Sequence, residues 1–366
     1  MCTVRRTLAL TFVLVAGCAH TSARRDVDGP PFADLSPVDR VGMEVTGFLK
    51  PEKLADKAGI YINEPYQPGK VPVLFVHGFI SSPATWAPLF EQLQADAELR
   101  QHCQFWFYYY PTGVPYIVSA ADLRERLTMM REKLDPAHKD KALDNIVVIG
   151  HSMGGLVAKL VTEEGGPDFW QLVCNQPIES LRMKRETRME LERIFYFHQQ
   201  PMVRRVVFLA APHHGAKIST MPPAKLASSL VQIPKSLTEA ARDVTDHNPN
   251  AEFRFASNKV PNSLRLLTPG DPSLELLGAR PKPGNVHFHS IVALGQAGSA
   301  ERILSMGAPP PNSDGVVTYA SAHLDGVDSE CVVSADHTRM KYCPRTVQEI
   351  RRILRDHLRE AGVDVP

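Results

Sequence analysis

The row Asn145-Ile146-Val147-Val148-Ile149 breaks off at Gly150-His151-Ser152-Met153-Gly154-Gly155, and the chain resumes as Leu156-Val157-Ala158-Lys159-Leu160-Val161. An unbroken row of β-branched residues suits a strand covered on both faces. The second apolar row suits a helix, so the segment reads as strand, sharp turn, helix. Glycine at 150 and 154 has a steric reason: in so tight a turn a side chain would collide with the strand or the helix. Ser152 then stands at the tip with the positive end of a helix behind it. A doubly covered strand needs helices on both sides, which commits this part of the chain to a layered α/β architecture.

The neighbouring patterns agree. Val71-Pro72-Val73-Leu74-Phe75-Val76 runs into His77-Gly78-Phe79 as a second apolar strand, and a first short strand is expected at Ile60-Tyr61-Ile62. Ser82-Pro83 reads as N-cap and first helical residue. Trp86, Leu89, Phe90 and Leu93 recur at helical spacing behind it. Phe105 to Tyr110 is a further strand, closed by Pro111-Thr112-Gly113, and a helix over 118–134 leads to the elbow. Alternating strands and helices predict right-handed crossovers and a doubly wound, mostly parallel sheet. Beyond the elbow, a charged helical segment is expected over 178–197, a strand at Val203–Leu209 ending in Ala210-Ala211-Pro212-His213-His214-Gly215, and a strand at Val286–Gly295. Short helices are expected near 224–231 and 237–244, and a last helix after Pro344 carries Val347, Ile350, Ile353, Leu354 and Leu358 on one face. The irregular stretches near 165–202 and 216–285 read as cap or lid insertions in one domain spanning 41–366.

A serine without partners is a poor nucleophile, so the elbow alone decides nothing. Acyl transfer through serine needs a base, a carboxylate to orient that base, and donors for the oxyanion. The acid candidate is Asp314, in Ser313-Asp314-Gly315-Val316-Val317, with Asp325 and Asp328 as rivals. The base candidate is His337, in Asp336-His337-Thr338 before the last helix, with His323 as main rival and His357 placed too deep in a helix. Backbone N–H groups of Phe79 and Met153 are the oxyanion candidates. His77 reads as a brace for its loop and His151 as packing beneath the turn. The pairs His213-His214 and His287/His289 lack a carboxylate or cysteine placed to complete a metal site, so no metal and no organic cofactor is expected.

The first residues have another character. Arg5 and Arg6 precede the apolar stretch Leu8–Ala16, the shape of a secretory signal over 1–17 and too short to span a bilayer. Val15-Ala16-Gly17-Cys18 resembles a bacterial lipobox. That resemblance implies acylation of Cys18, a polar tether over 18–40, and a place in the bacterial cell envelope, on the periplasmic or surface face of a membrane. Four cysteines remain beyond the anchor: Cys103, Cys174, Cys331 and Cys343. In an oxidising compartment they allow two disulfides in one of three pairings, and Cys331 with Cys343, which bracket His337, is the expected pair because the two are close in sequence. A net charge of +1, from 41 basic and 40 acidic residues, gives no footprint for nucleic acid. Oligomeric state stays open.

Taken together, Val76-His77-Gly78-Phe79, the Gly150–Gly155 elbow, Ala211-Pro212-His213-His214-Gly215, Ser313–Val317 and Asp336-His337 resemble the lipase and esterase branch of the α/β-hydrolase superfamily. The cap and spacing are similar to lipases and to inositol-deacylase-like bacterial hydrolases. His214 stands where arginine is more usual. The resemblance implies an α/β-hydrolase fold and hydrolysis of carboxylic esters, lipids among them, by a Ser152–His337–Asp314 triad without metal or cofactor. It equally admits a thioesterase or acyltransferase using the same triad. A non-catalytic envelope scaffold is the third reading.

Overall fold

The computed structural model describes residues 37–217, 231–254, 260–295, 298 and 309–362. The expected signal segment, Cys18, most of the tether and most of the helix near 224–231 lie outside these residues.

Seven strands form one sheet: β1 (Gly59–Ile62), β2 (Val71–Val76), β3 (Cys103–Tyr109), β4 (Ile146–His151), β5 (Val203–Leu209), β6 (His287–Ala293) and β7 (Ser329–Val333). Their order is β1-β3-β2-β4-β5-β6-β7. Only β1 runs antiparallel, against β3. This is the mostly parallel, helix-flanked sheet expected from the sequence, with Ser152 directly after the central strand β4. Strand side chains alternate between faces. Leu74, Val76, Val148, Val206 and Phe208 pack with the helices Tyr116–Leu134 and Met153–Val161. Val73, Phe75, Val147, Ile149, Val207 and Leu209 pack with the helices Ala87–Gln94 and Pro344–Glu360. Burial on both sides is why β2, Ile146–Ile149 of β4 and Val206–Leu209 of β5 are unbroken apolar runs.

The cap segments pack on the first of these faces. The expected helix over 178–197 is interrupted, with a single 3₁₀ turn at Ile178–Ser180 and a helix only over Arg185–Phe195. It meets the helix Lys235–His247. The two insertions are stitched by a bridge between Cys174 and Phe253 and by Arg254 N–H donating to Val173 O at 2.7 Å. Lys159 of the elbow helix is fully buried and donates to Glu163 Oε1 at 2.8 Å and to Leu277 O at 2.7 Å, which ties that helix to Pro272–Ala279. Burial lowers the Lys159 pKa.

Three expectations are corrected. Residues 37–40, read as tether, open a helix spanning Pro37–Leu49, with proline in its first position and Phe48 buried. Ser82 takes the N-cap position and Pro83 the first place, as expected, but of a 3₁₀ turn, and the Ser82 hydroxyl makes no cap bond; it donates to Glu44 Oε1 at 2.6 Å. Cys331 and Cys343 are free thiols, as are Cys103 and Cys174. Cys331 lies within the edge strand β7 and Cys343 heads the last helix, so each is held by its own element. Hydrogen bonds hold the loop between them instead. Met340 N–H donates to Asp336 O at 3.0 Å and Arg339 N–H to Asp336 Oδ1 at 2.7 Å.

Candidate active site

Ser152 sits at φ 53°, a left-handed conformation that a non-glycine residue adopts only under constraint. Its N–H is pinned to Leu209 O at 2.8 Å. The glycines show what makes the turn possible. A Cβ on Gly150 would lie 2.5 Å from Gly154 O, one on Gly154 2.3 Å from Val76 O, and one on Gly155 2.4 Å from Ala211 Cβ. Strand, turn and helix thus approach as closely as backbone allows.

The turn after β2 packs against this elbow. A Cβ on Gly78 would lie 3.0 Å from both Ser152 Cβ and His151 Nδ1. The turn is braced from several sides. Tyr110 O–H donates to His77 O at 2.7 Å and Tyr110 N–H to His77 Nε2 at 3.4 Å, so His77 Nδ1–H donates to Gly78 O at 3.0 Å. Burial takes the His77 pKa down to about 4, which keeps the ring neutral. Ile80 is held at φ 44° with its N–H donating to Thr112 Oγ1 at 3.2 Å. The Pro37–Leu49 helix adds Glu44 on Ser82 and Phe48 edge-on to Phe79, ring centroids 4.7 Å apart. Strained residues also follow β5, at Ala210 with φ 45°, and precede the acid loop, at Asn312 with φ 48°. Such outliers gather where a fold is constrained for function.

Asp314 and His337 meet. His337 Nδ1–H donates to Asp314 Oδ2 at 2.7 Å, with the carboxylate fully buried. Asp314 Oδ1 accepts from Val316 N–H at 2.9 Å and Val317 N–H at 2.8 Å, which holds the carboxylate oriented. His337 N–H donates to Asp314 O at 3.0 Å, so the imidazole is fixed by its backbone as well as its ring. With Nδ1 carrying the proton given to Asp314, Nε2 of the neutral His337 ring is an acceptor. Its ring packs on His151, centroids 4.7 Å apart. Because His151 directly precedes Ser152 in the chain, the His337 ring lies beside the elbow.

The rivals are engaged elsewhere. His323 is bound to Glu330 Oε2 at 2.7 Å and faces exposed Asp325 at 3.3 Å; the hydrogen bond to Glu330 raises its pKa. Asp328 takes Lys282 and the N–H of Phe288. His357 Nε2–H donates to Asn145 O at 2.7 Å, and His289 is bonded to Ser329 and Arg205. His213 stacks edge-on to Phe208, and neither of its nitrogens has a partner among the described residues. Among those residues no three His, Cys, Asp or Glu side chains gather to hold a metal ion. Pro115, Ile117, Leu191, Phe195, Ala241 and Leu266 line a small apolar pocket. It lies between the helix that follows β3 and the cap.

Buried neutral histidines make the protein acid-sensitive. Burial, first among the causes, lowers the pKa of His77 and His357 to about 4 and of His213 and His289 to about 3. Unfolded, each has a pKa of about 6.5. Above that value neither state is charged and their stability contribution is complete. As the pH falls below it, the unfolded chain takes up protons that the folded chain refuses, and stability drops until the folded values are reached. Calorimetry should therefore show Tm falling steadily from pH 6.5 towards 4. His213→Leu should raise Tm more at pH 5 than at pH 8; an equal change at both would contradict this account.

Residues 67–176 match the PGAP1-like alpha/beta domain of the α/β-hydrolase superfamily. That stretch holds the Gly78–Phe79 turn, the serine elbow and its helix, and stops short of Asp314 and His337. No curated protein matches the chain. Among solved structures, the chain is similar to the mature form of Bacillus licheniformis lipase BlEst2 (16% identity, 81% of this chain and 97% of that one, TM-score 0.49). It is also similar to Staphylococcus hyicus lipase (14%, 82% and 98%, TM-score 0.48) and to EstA from Clostridium botulinum (14%, 88% and 97%, TM-score 0.46).

Sequence reading missed the helix Pro37–Leu49 as part of the site, and Thr112 as a brace. Phe48 and the Val41, Val45 spacing were the available signals for the helix. Nothing local marks a threonine in a Pro-Thr-Gly turn as the partner of a residue 32 positions away.

Proposed function

We propose that the protein is a serine hydrolase of carboxylic esters that works through an acyl-enzyme. The observation that carries this reading is the buried Asp314–His337 pair, joined at 2.7 Å beside an elbow that holds Ser152 at φ 53°. Ser152 Oγ attacks the ester carbonyl as His337 Nε2 takes its proton. Asp314 keeps the other ring proton on Nδ1 and stabilises the imidazolium. The N–H groups of Phe79 and Met153 receive the developing oxyanion, at the head of a helix whose dipole favours negative charge. The protonated His337 then donates to the leaving alcohol, and water, activated by the same ring, releases the acyl group.

A fluorophosphonate probe tests the reading. It should label the wild type and not Ser152→Ala, and a series of p-nitrophenyl esters should then give the acyl preference. A wild type that stays unlabelled would sink the proposal and favour a binding scaffold.

We also propose attachment to a bacterial envelope membrane through acylated Cys18. Among the described residues no helix is long and apolar enough to cross a membrane. The lipobox supports the anchor. Cys18→Ser should move the protein from the membrane to the soluble fraction with unchanged turnover of a soluble ester. Persistent membrane association of that variant would count against acylation.

A further inference from the structure

Resting on the serine-hydrolase reading, we infer that His151 is a positioning residue, which registers the base against the nucleophile and the oxyanion turn through one hydrogen bond to the backbone of His337. His151 ends β4 and is joined by a peptide bond to Ser152. It is buried, with 5% of its surface exposed. Its Nε2 lies 2.9 Å from His337 O. A carbonyl only accepts, so Nε2 carries the proton and Nδ1 is bare in the neutral ring. That bare edge faces Gly78, where a Cβ would come within 3.0 Å of Nδ1. One imidazole therefore touches the base loop, backs the oxyanion turn and precedes the nucleophile in sequence.

The consequence lies in how His337 is held. Its N–H goes to Asp314 O at 3.0 Å, its C=O receives His151 at 2.9 Å, and its Nδ1–H goes to Asp314 Oδ2 at 2.7 Å. With the ring packed on His151, Nε2 is left as the reactive atom. Two of these constraints come from the acid; the third comes only from His151. Removing it frees one side of the base while its orienting carboxylate stays in place.

Burial, first among the causes, lowers the His151 pKa well below its ordinary value and keeps the ring neutral; the charges of Lys341 from the turn before the last helix, His337 from its loop and His77 from the end of β2 act the same way, against the hydrogen bond to His337 O, which raises it. Trp86 closes the remaining side edge-on, ring centroids 6.3 Å apart.

Two amides separate this role from simple packing. Glutamine places its amide nitrogen where histidine has Nε2, and asparagine only where it has Nδ1. His151→Gln should keep kcat within about fivefold of wild type. His151→Asn should lose about 10- to 100-fold in kcat with KM changed less than threefold, the cost of a misplaced base rather than of lost substrate binding. His151→Phe, which keeps a ring and loses the donor, should resemble the asparagine variant. Circular dichroism and Tm report folding for each. Equal kcat for Gln and Asn, or a phenylalanine variant within twofold of wild type, would overturn the assignment. If phenylalanine prevents folding, the comparison of the two amides decides alone. A wild type inert to fluorophosphonate would instead mark failure of the hydrolase reading itself.

Discussion

His337→Ala is expected to lower kcat by about four orders of magnitude while leaving the fold intact. Without the imidazole, Ser152 has no group to take its proton and the leaving alcohol no donor. Asp314→Asn should cost about as much, for a more specific reason. The amide oxygen can still accept from Val316 and Val317 N–H, now at 2.9 and 2.8 Å from Asp314 Oδ1, so the loop geometry survives. The amide NH₂ then faces His337 Nδ1 and forces it to accept. The ring proton moves to Nε2, where an acceptor is required. Single-turnover and steady-state kinetics on a soluble ester measure both variants, with circular dichroism as the folding control. His323→Ala should stay within about twofold of wild type, since His323 is bound to Glu330. A large loss there, with His337→Ala still active, would reassign the base.

Gly154→Ala should destabilise the protein by at least about 4 kcal/mol or prevent folding, an exceptional effect for one methyl group. The added Cβ would fall 2.3 Å from Val76 O and 2.4 Å from His77 O. Both are backbone atoms in or beside a central strand, so neither can rotate away. Relief requires moving the elbow helix off the sheet, which would also displace Ser152. Gly42→Ala provides the contrast. It lies in the helix Pro37–Leu49 with nothing within 4 Å of its Cβ position. There alanine should stabilise by about 0.5–1 kcal/mol, because glycine loses more freedom on entering a helix. Urea titration compares the two. A Gly154→Ala protein with a near-normal midpoint would mean that the elbow is looser than its contacts imply.

The strands were legible wherever both faces are buried. β2, most of β4 and the Val206–Leu209 end of β5 are apolar because each packs into two cores, and their shortness and β-branched residues mark them as strands. β7 escaped notice because it is an edge strand, Ser329-Glu330-Cys331-Val332-Val333, paired on one side only and largely half-exposed. Reading its cysteine as half of a disulfide followed from missing the strand. The helix Pro37–Leu49 was missed for a related reason. Its charged start continues the polar tether, and only the contacts of Phe48 with Phe79 and of Glu44 with Ser82, made once the chain has folded, show where it packs.

What the chain encodes locally is the elbow: glycines at 150, 154 and 155 leave room for one backbone path, and Ser152 must stand at its tip. Close neighbours in sequence set that geometry, so it could be read from a dozen letters. Which carboxylate meets which imidazole is another kind of fact. Asp314 and His337 are 23 residues apart, amid Asp325, Asp328 and His323, all plausible by composition. Loop packing chose among them, by giving Asp314 two backbone donors and His337 the carbonyl of Asp314, while β7 and Lys282 drew the rivals away. Contacts between distant segments exist only once the sheet has closed, because the chain entropy separating them is overcome by burial of the whole core and not by any local preference.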